Sequence, residues 1–183
     1  MYKIGICGAH GTGKTTLGNI IKEHLQLPFI TNTMRSLWVE SGVDDFEKLP
    51  TDIRAEFQKH AIIRQINREN NEGESGFITD RTVMDNLAYT QISSNMTGVD
   101  LELYRILAIE RVKNYSHFIY LPIMFDAPSE FLRANLDSRV ELDEIIKQNI
   151  QKYIPVDRLL IIESLSNSDR LEEILKFIEK TKV

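Results

Sequence analysis

The sequence predicts a parallel α/β fold, a sheet covered by helices on both faces. Three observations lead there. Short apolar runs recur at 3–7, 28–30, 77–79, 117–121 and 159–162. Between them apolar residues fall at helical rather than alternating spacing. Those helical segments are long enough to cross back over a sheet, which is how parallel strands are joined.

Each element can be justified in turn. "KIGIC" (3–7) reads as a fully buried strand. Leu17, Ile20, Ile21, His24 and Leu25 then share one face of a helix. "PFI" (28–30) is a shorter strand, and "ESGVDDFEKLPTD" (40–52) is the most loop-like stretch. Ile53, Phe57, Ile63 and Ile66 mark a face of a long helix from about 51 to 72. After the strand "FIT" (77–79), Val83, Leu87 and Ile92 mark a helix over about 82–93. Leu101, Tyr104, Leu107, Ala108 and Val112 mark another over about 100–114. "HFIYL" (117–121) and "LLII" (159–162) supply the last strands. Leu171, Ile174, Leu175 and Ile178 lie on a final helix, with Ser168 expected as its cap.

Composition narrows the function classes. A chain of 183 residues suits one domain, 1–183, with a sizeable core. A net charge of −5 and a pI near 5.4 weigh against a broad surface for duplex nucleic acid, while leaving room for a local basic pocket. Cys7 is the only cysteine, so an internal disulfide and a cysteine metal cage are both excluded. It reads as a small buried hydrophobe. No apolar run approaches the roughly 18 residues of a membrane span. With no leader pattern at the start, the expected location is the cytoplasm, with no membrane partner.

The most informative stretch is Gly8-Ala9-His10-Gly11-Thr12-Gly13-Lys14-Thr15, which fills every fixed position of G-x-x-x-x-G-K-[ST]. Gly8, Gly11 and Gly13 let the backbone adopt positive φ and approach an anion with no Cβ in the way. Successive N–H groups then point inward, and the helix beginning at Lys14 adds partial positive charge. Lys14 brings a full charge to the β- and γ-phosphates, and Thr15 a hydroxyl for the accompanying Mg²⁺. Chance would place this pattern in well under ~1% of chains of this length, and here it also sits between a strand and a helix. The reading is a site for ATP or another nucleoside triphosphate at Gly8, Ala9, His10, Gly11, Thr12, Gly13, Lys14, Thr15 and Thr16. His10 occupies a variable loop position and is given no chemistry of its own.

Other features separate the classes of phosphate-loop protein. Neither D-x-x-G followed by N-K-x-D, as in a switch GTPase, nor a strand ending in Asp-Glu, as in a motor ATPase, is present. The corresponding strand reads "GFITDRTVMDNLAY", with Asp80 followed by Arg81. A carboxylate there can hold Mg²⁺ or accept a proton, and the guanidinium can clamp a phosphate.

With the loop, "TDR" (79–81) and "MDNLAY" in hand, the chain resembles the nucleoside and nucleotide kinase group of P-loop proteins. It is most similar to the small kinase-like AAA domains that include nicotinamide-riboside kinase domains. The resemblance implies a three-layer P-loop NTPase fold whose five parallel strands run 2-3-1-4-5. It implies an acceptor pocket at the strands' carboxyl ends and a lid carrying arginines. Asp80 and Arg81 match the group's acid–arginine pair. "TNTMRSLW" (31–38) matches its Glu-x-x-Arg segment, where Arg35 fits but Asn32 replaces the glutamate. That leaves Asp80 as the base, or an acceptor that is already ionised, which favours a nucleoside monophosphate.

Arg35 and Trp38 share a helix face and are candidates for the acceptor pocket, a cation for phosphate beside a flat wall for a base; core packing for Trp38 is the alternative. Arg54 and Gln58, one turn apart, either reach that pocket or sit on a solvated face. The lid candidate is 126–146, with Arg133 and Arg139 as the arginines; pairing of Arg133, Asp137 and Glu141 along a wet helix face is the alternative. "ESLSNSDR" (163–170) lies where such a fold packs adenine.

The expected function is transfer of the γ-phosphoryl group of Mg-ATP to a small nucleoside or nucleoside monophosphate. Lys14, Asp80, Arg81, Arg133 and Arg139 are the catalytic candidates, and Thr15 and Asp80 the metal ligands. The alternatives are a kinase for nucleic-acid 5′ ends and an ATP-binding regulatory or assembly module with little turnover. The helix at 100–114 is either a homodimer face or part of the core.

Overall fold

The computed structural model of the chain describes residues 1–31, 33–44, 46–93, 96–124 and 136–181. Its sheet has five parallel strands: β1 Lys3–Cys7, β2 Phe29–Ile30, β3 Phe77–Asp80, β4 His117–Tyr120 and β5 Leu159–Ile161. They run in the order β2-β3-β1-β4-β5, as the resemblance implies. β1 is central and pairs on both sides, which is why all but its first residue are buried. Its register sets Ile6 beside Asp80 and Cys7 beside Tyr120, so β1, β3 and β4 end together.

Helices cover both faces. α1 (Lys14–Leu25) and α7 (Asn167–Lys180) enclose an aliphatic cluster that includes Ile4, Ile6, Leu17, Ile21, Ile78, Ile119, Ile174 and Ile178. α2 (Thr33–Glu40) lies beside α3 (Thr51–Glu72). On the other face α3, α4 (Val83–Ser93), α5 (Gly98–Val112) and α6 (Leu136–Tyr153) enclose a larger cluster rich in aromatic rings, among them Phe77, Phe118, Tyr104, Tyr115 and Tyr120. Cys7 is fully buried there, and that burial pushes its thiol pKa well up, as expected of an inert packing residue. No helix among the described residues is long and apolar enough to cross a membrane.

Three expectations are corrected. The buried face of α3 is Gln58, Ala61, Ile62, Gln65 and Glu69, while Ile53 and Ile63 are 43% and 51% exposed. Gln58, Gln65 and Glu69 share that face with Ala61 and Ile62, and Ile66 packs against the core, so the isoleucine spacing misplaces the face at Ile53 and Ile63. On α5, Tyr104, Ala108 and Val112 are buried as expected but Leu107 is 40% exposed. The cap of α7 is Ser166, whose hydroxyl accepts from the Asp169 N–H at 3.1 Å, and not Ser168.

Candidate active site

The loop between β1 and α1 turns through Gly8, Gly11 and Gly13 at φ of 139°, 73° and 92°. A Cβ on Gly8 would lie 2.3 Å from the Leu121 carbonyl oxygen, so this glycine is required by contact as well as by conformation. Gly13, in the left-handed region, ends the loop and starts α1. Lys14 is 6% exposed, and its ammonium donates to the Gly8 and Ala9 carbonyls at 2.8 and 2.6 Å. Burial, then Arg81, pushes its pKa down to about 8 against the pull of Asp85 and Asp80.

Two carboxylates outside the loop fix its first turn. Asp85 accepts from the Gly8 N–H at 2.9 Å and from the N–H and hydroxyl of Thr82 at 2.7 and 2.8 Å. Its burial raises its pKa, with Lys14 and these hydrogen bonds opposing. Asp143 on α6 accepts from the Ala9 N–H at 3.3 Å and from the Tyr120 hydroxyl at 2.9 Å. Also on α6, Arg139 donates through Nε to the His10 carbonyl at 2.9 Å and is 3% exposed. The His10 ring is half-buried among cations: burial, Arg81, Arg139 and Lys14 push its pKa down to about 4.

Asp80 ends β3 with a carboxylate that accepts from the Thr15 hydroxyl. Arg81 follows at φ 83°, a left-handed conformation that costs a non-glycine residue about 1–2 kcal/mol. Its N–H donates to the Ile6 carbonyl at 3.0 Å, while its own carbonyl accepts from the Thr79 hydroxyl at 3.0 Å and the Gln65 amide at 2.8 Å. The guanidinium lies 4.4 Å from the centre of the Tyr89 ring, a cation–π contact. A cavity of about 380 Å³ adjoins the loop, lined by Gly11, Thr12, Gly13, Thr16, Leu165, Ser166, Asn167 and Arg170. Arg170 is 2% exposed and donates to the Ser164 carbonyl at 2.9 Å, which ties α7 to the stretch 163–170.

The acceptor candidates group on α2 and α3. Trp38 stacks on Phe46 at 4.9 Å between ring centres, and Phe46 meets Phe57 edge-on at 6.0 Å. The Trp38 indole Nε1 is buried with no hydrogen-bond partner among the described residues. Gln58 is 1% exposed, which removes it from a solvated face, and its backbone carbonyl accepts from the Tyr104 hydroxyl at 3.3 Å; Arg54, one turn earlier, is half-buried. Arg35 lies on α2, but its side chain, like Asn32 and Arg133, lies outside the described residues.

The model of the AAA domain family matches residues 3–161. The chain belongs to that AAA domain family. No curated protein matches it. Solved structures share its fold, two of them as follows. The NadR protein in complex with NAD and AMP-PNP matches with a TM-score of 0.68 at 18% identity, covering 97% of this chain and 49% of that one. This AAA domain thus spans about half the length of NadR. Deoxyadenosine kinase from M. mycoides, with dCMP and dCDP as products, matches with a TM-score of 0.70 at 17% identity, covering 98% of this chain and 100% of that one. The fold is that of a P-loop NTPase, kinase-like in its neighbours.

Within this AAA domain, Lys14, Thr15, Asp80, Arg81 and Arg139 lie around the phosphate loop at one end of the sheet. Sequence reasoning missed Asp85, Asp143, Tyr120 and Arg170. Asp85 had a signal: Thr82-x-x-Asp85 has the spacing of a capping box, and Asp85 accepts from the Thr82 N–H while the Thr82 hydroxyl accepts from the Met84 N–H at 3.1 Å. Asp143 lies 134 residues from Ala9 and has no local signature.

Proposed function

We propose that the chain is an ATP-dependent kinase that moves the γ-phosphoryl group to a small nucleoside or nucleoside monophosphate. The observation that carries this reading is the Thr15–Asp80 contact, which joins the phosphate loop to the acid–arginine pair at one point. The loop N–H groups and Lys14 hold the triphosphate and take up charge as the bond to the β-phosphate oxygen breaks. The Arg81 guanidinium steadies the transferring group, with Arg139 and Arg133 as lid arginines. An oxygen of the acceptor forms the new bond to phosphorus. Its proton, if it has one, passes to Asp80, and ADP leaves. Arg35, Trp38, Arg54 and Gln58 hold the acceptor, with Trp38 as the wall for its base.

The donor set fits Mg²⁺. A threonine hydroxyl and one carboxylate are hard oxygen ligands, the sparse set such an ion takes from protein when phosphates supply others. Thr15 and Asp80 would hold it, and it would supply charge neutralisation between the β- and γ-phosphates. NadR was solved with AMP-PNP and, separately, with NR, and the M. mycoides kinase with dATP, which supports a nucleotide on the loop side and a nucleoside-type acceptor.

The test is Mg-ATP turnover, followed as ADP release, against nucleosides, nucleoside monophosphates, nicotinamide riboside and a 5′-hydroxyl oligonucleotide. One acceptor class should raise the rate well above background, and Lys14→Ala should abolish that increment. A response to the oligonucleotide alone would move the reading to a nucleic-acid end kinase. ATP binding without any acceptor effect would favour a regulatory module, the reading to which Asn32 points. The exposed Leu103, Ile106 and Leu107 of α5 are proposed as a homodimer face, to be checked by sedimentation.

A further inference from the structure

The Arg81 backbone is held from both sides. Its N–H is tied to Ile6 of β1, and its carbonyl accepts two side-chain donors, Thr79 and Gln65. Thr79 is on Arg81's own strand, but Gln65 comes from the middle of α3 and reaches the carbonyl from a buried position, 2% exposed.

The orientation of the Gln65 amide is fixed by its surroundings. Its Oε1 accepts from Asn86 Nδ2 at 2.6 Å. Its Nε2 faces the Arg81 carbonyl and the Glu69 carboxylate, each at 2.8 Å, with the Tyr115 hydroxyl further off at 3.5 Å. A flipped amide would set an oxygen against both, so the network permits one orientation. Glu69 is fixed in turn by Arg111, whose Nε donates at 2.8 Å, and by the Tyr115 hydroxyl. Every group in this chain of contacts has a stated partner, and it ends on the carbonyl of a residue in a strained conformation. A side chain needed only for packing between α3 and α4 would not have to reach that carbonyl.

We infer that Gln65 is a positioning residue: it holds the Arg81 carbonyl, and so keeps Arg81 in the left-handed conformation that aims its guanidinium at the transferring phosphoryl group. Glu69 and Arg111 fix the amide that does this. The kinetic part rests on the kinase reading proposed above; the conformational part does not.

Gln65→Met keeps the length and volume of the side chain and removes the donor. Its kcat should fall about 10- to 100-fold, the size of effect that a small misplacement of a reacting group produces, with ATP affinity within about twofold of the parent. In an Arg81→Ala background the same change should alter kcat by less than about twofold, because the residue through which it acts is gone. A folded Gln65→Met protein with unchanged kcat, or an equal loss in both backgrounds, overturns the inference. The Nε–Hε NMR signal of Arg81, assigned by its loss in Arg81→Lys, should shift or broaden in Gln65→Met; an unmoved signal also overturns it. If no acceptor is turned over by the parent protein, the kinase reading fails while the NMR signal still decides the role of Gln65. Should Gln65→Met not fold, Thr79→Val removes the other donor from the same carbonyl. It should move the Arg81 signal in the same way, and no movement there counts against the inference.

Discussion

The two faces of the sheet are built on different principles. Between α1 and α7 the core is aliphatic, with Ile4, Ile6, Ile78, Ile119, Ile174 and Ile178 in one buried cluster. Between α3, α4 and α5 the core encloses an ion pair, Glu69–Arg111, with two amides and a tyrosine hydroxyl joined to it. An aliphatic cluster is held by non-directional contacts, whereas a hydrogen-bonded network also fixes the direction of each donor and acceptor. The first face anchors the helix behind the phosphate loop. The second reaches the strand end where Arg81 stands. The aliphatic face is held by apolar burial, and the other adds a fixed hydrogen-bond geometry to the larger apolar cluster.

That contrast can be broken in several ways, beginning with the largest effect. Glu69→Leu leaves Arg111 buried without its carboxylate and should cost about 3–5 kcal/mol in urea unfolding. Adding Arg111→Met should recover at least half of that loss, because the pair itself is worth little net stability; an additive double variant would show that the network is a stabilising core after all. On the aliphatic face, Ile174→Ala should cost about 3 kcal/mol and leave kcat unchanged. Ser166→Ala, which removes the cap of α7, should cost about 1 kcal/mol by the same assay.

A further effect is in the pH dependence. The folded chain holds His10 at about 4, below its ordinary 6.5. Between those values the unfolded chain binds a proton that the folded chain does not, so stability falls as pH drops from 6.5 to 4. His10→Asn should flatten that slope. Lys14 gives the same sign at the other end: held at about 8 against 10.5, it makes stability rise with pH across that window. Lys14→Met should remove the rise, as read from urea midpoints at a series of pH values.

The legibility of the chain follows the same division. The phosphate loop is a backbone motif written in eight consecutive residues, and α7 shows its buried stripe in Ile174 and Ile178, so both could be read without a structure. The buried face of α3 could not, because Gln58, Gln65 and Glu69 lie where an apolar period was sought. Hydropathy records the cost of burying such residues and not the partners that offset it. Ser166 and Ser168 are equally good caps on paper, and only backbone geometry separates them. Tyr120, Asp143 and Arg170 join the site through strand and helix packing over long separations. The acid–arginine pair was visible as a pattern, yet the left-handed turn at Arg81 was not, since nothing in its residue type announces it.

Gly8 closes the loop against the end of β4, where any Cβ would strike the Leu121 carbonyl oxygen. In a saturation scan this position should therefore show a uniformly intolerant row, with alanine as damaging as tryptophan. Gly42, also left-handed at φ 67° but with nothing within 4 Å, should admit asparagine. A lineage of such chains can drift at position 42 and retune residues around the loop, but position 8 offers it no neighbouring step.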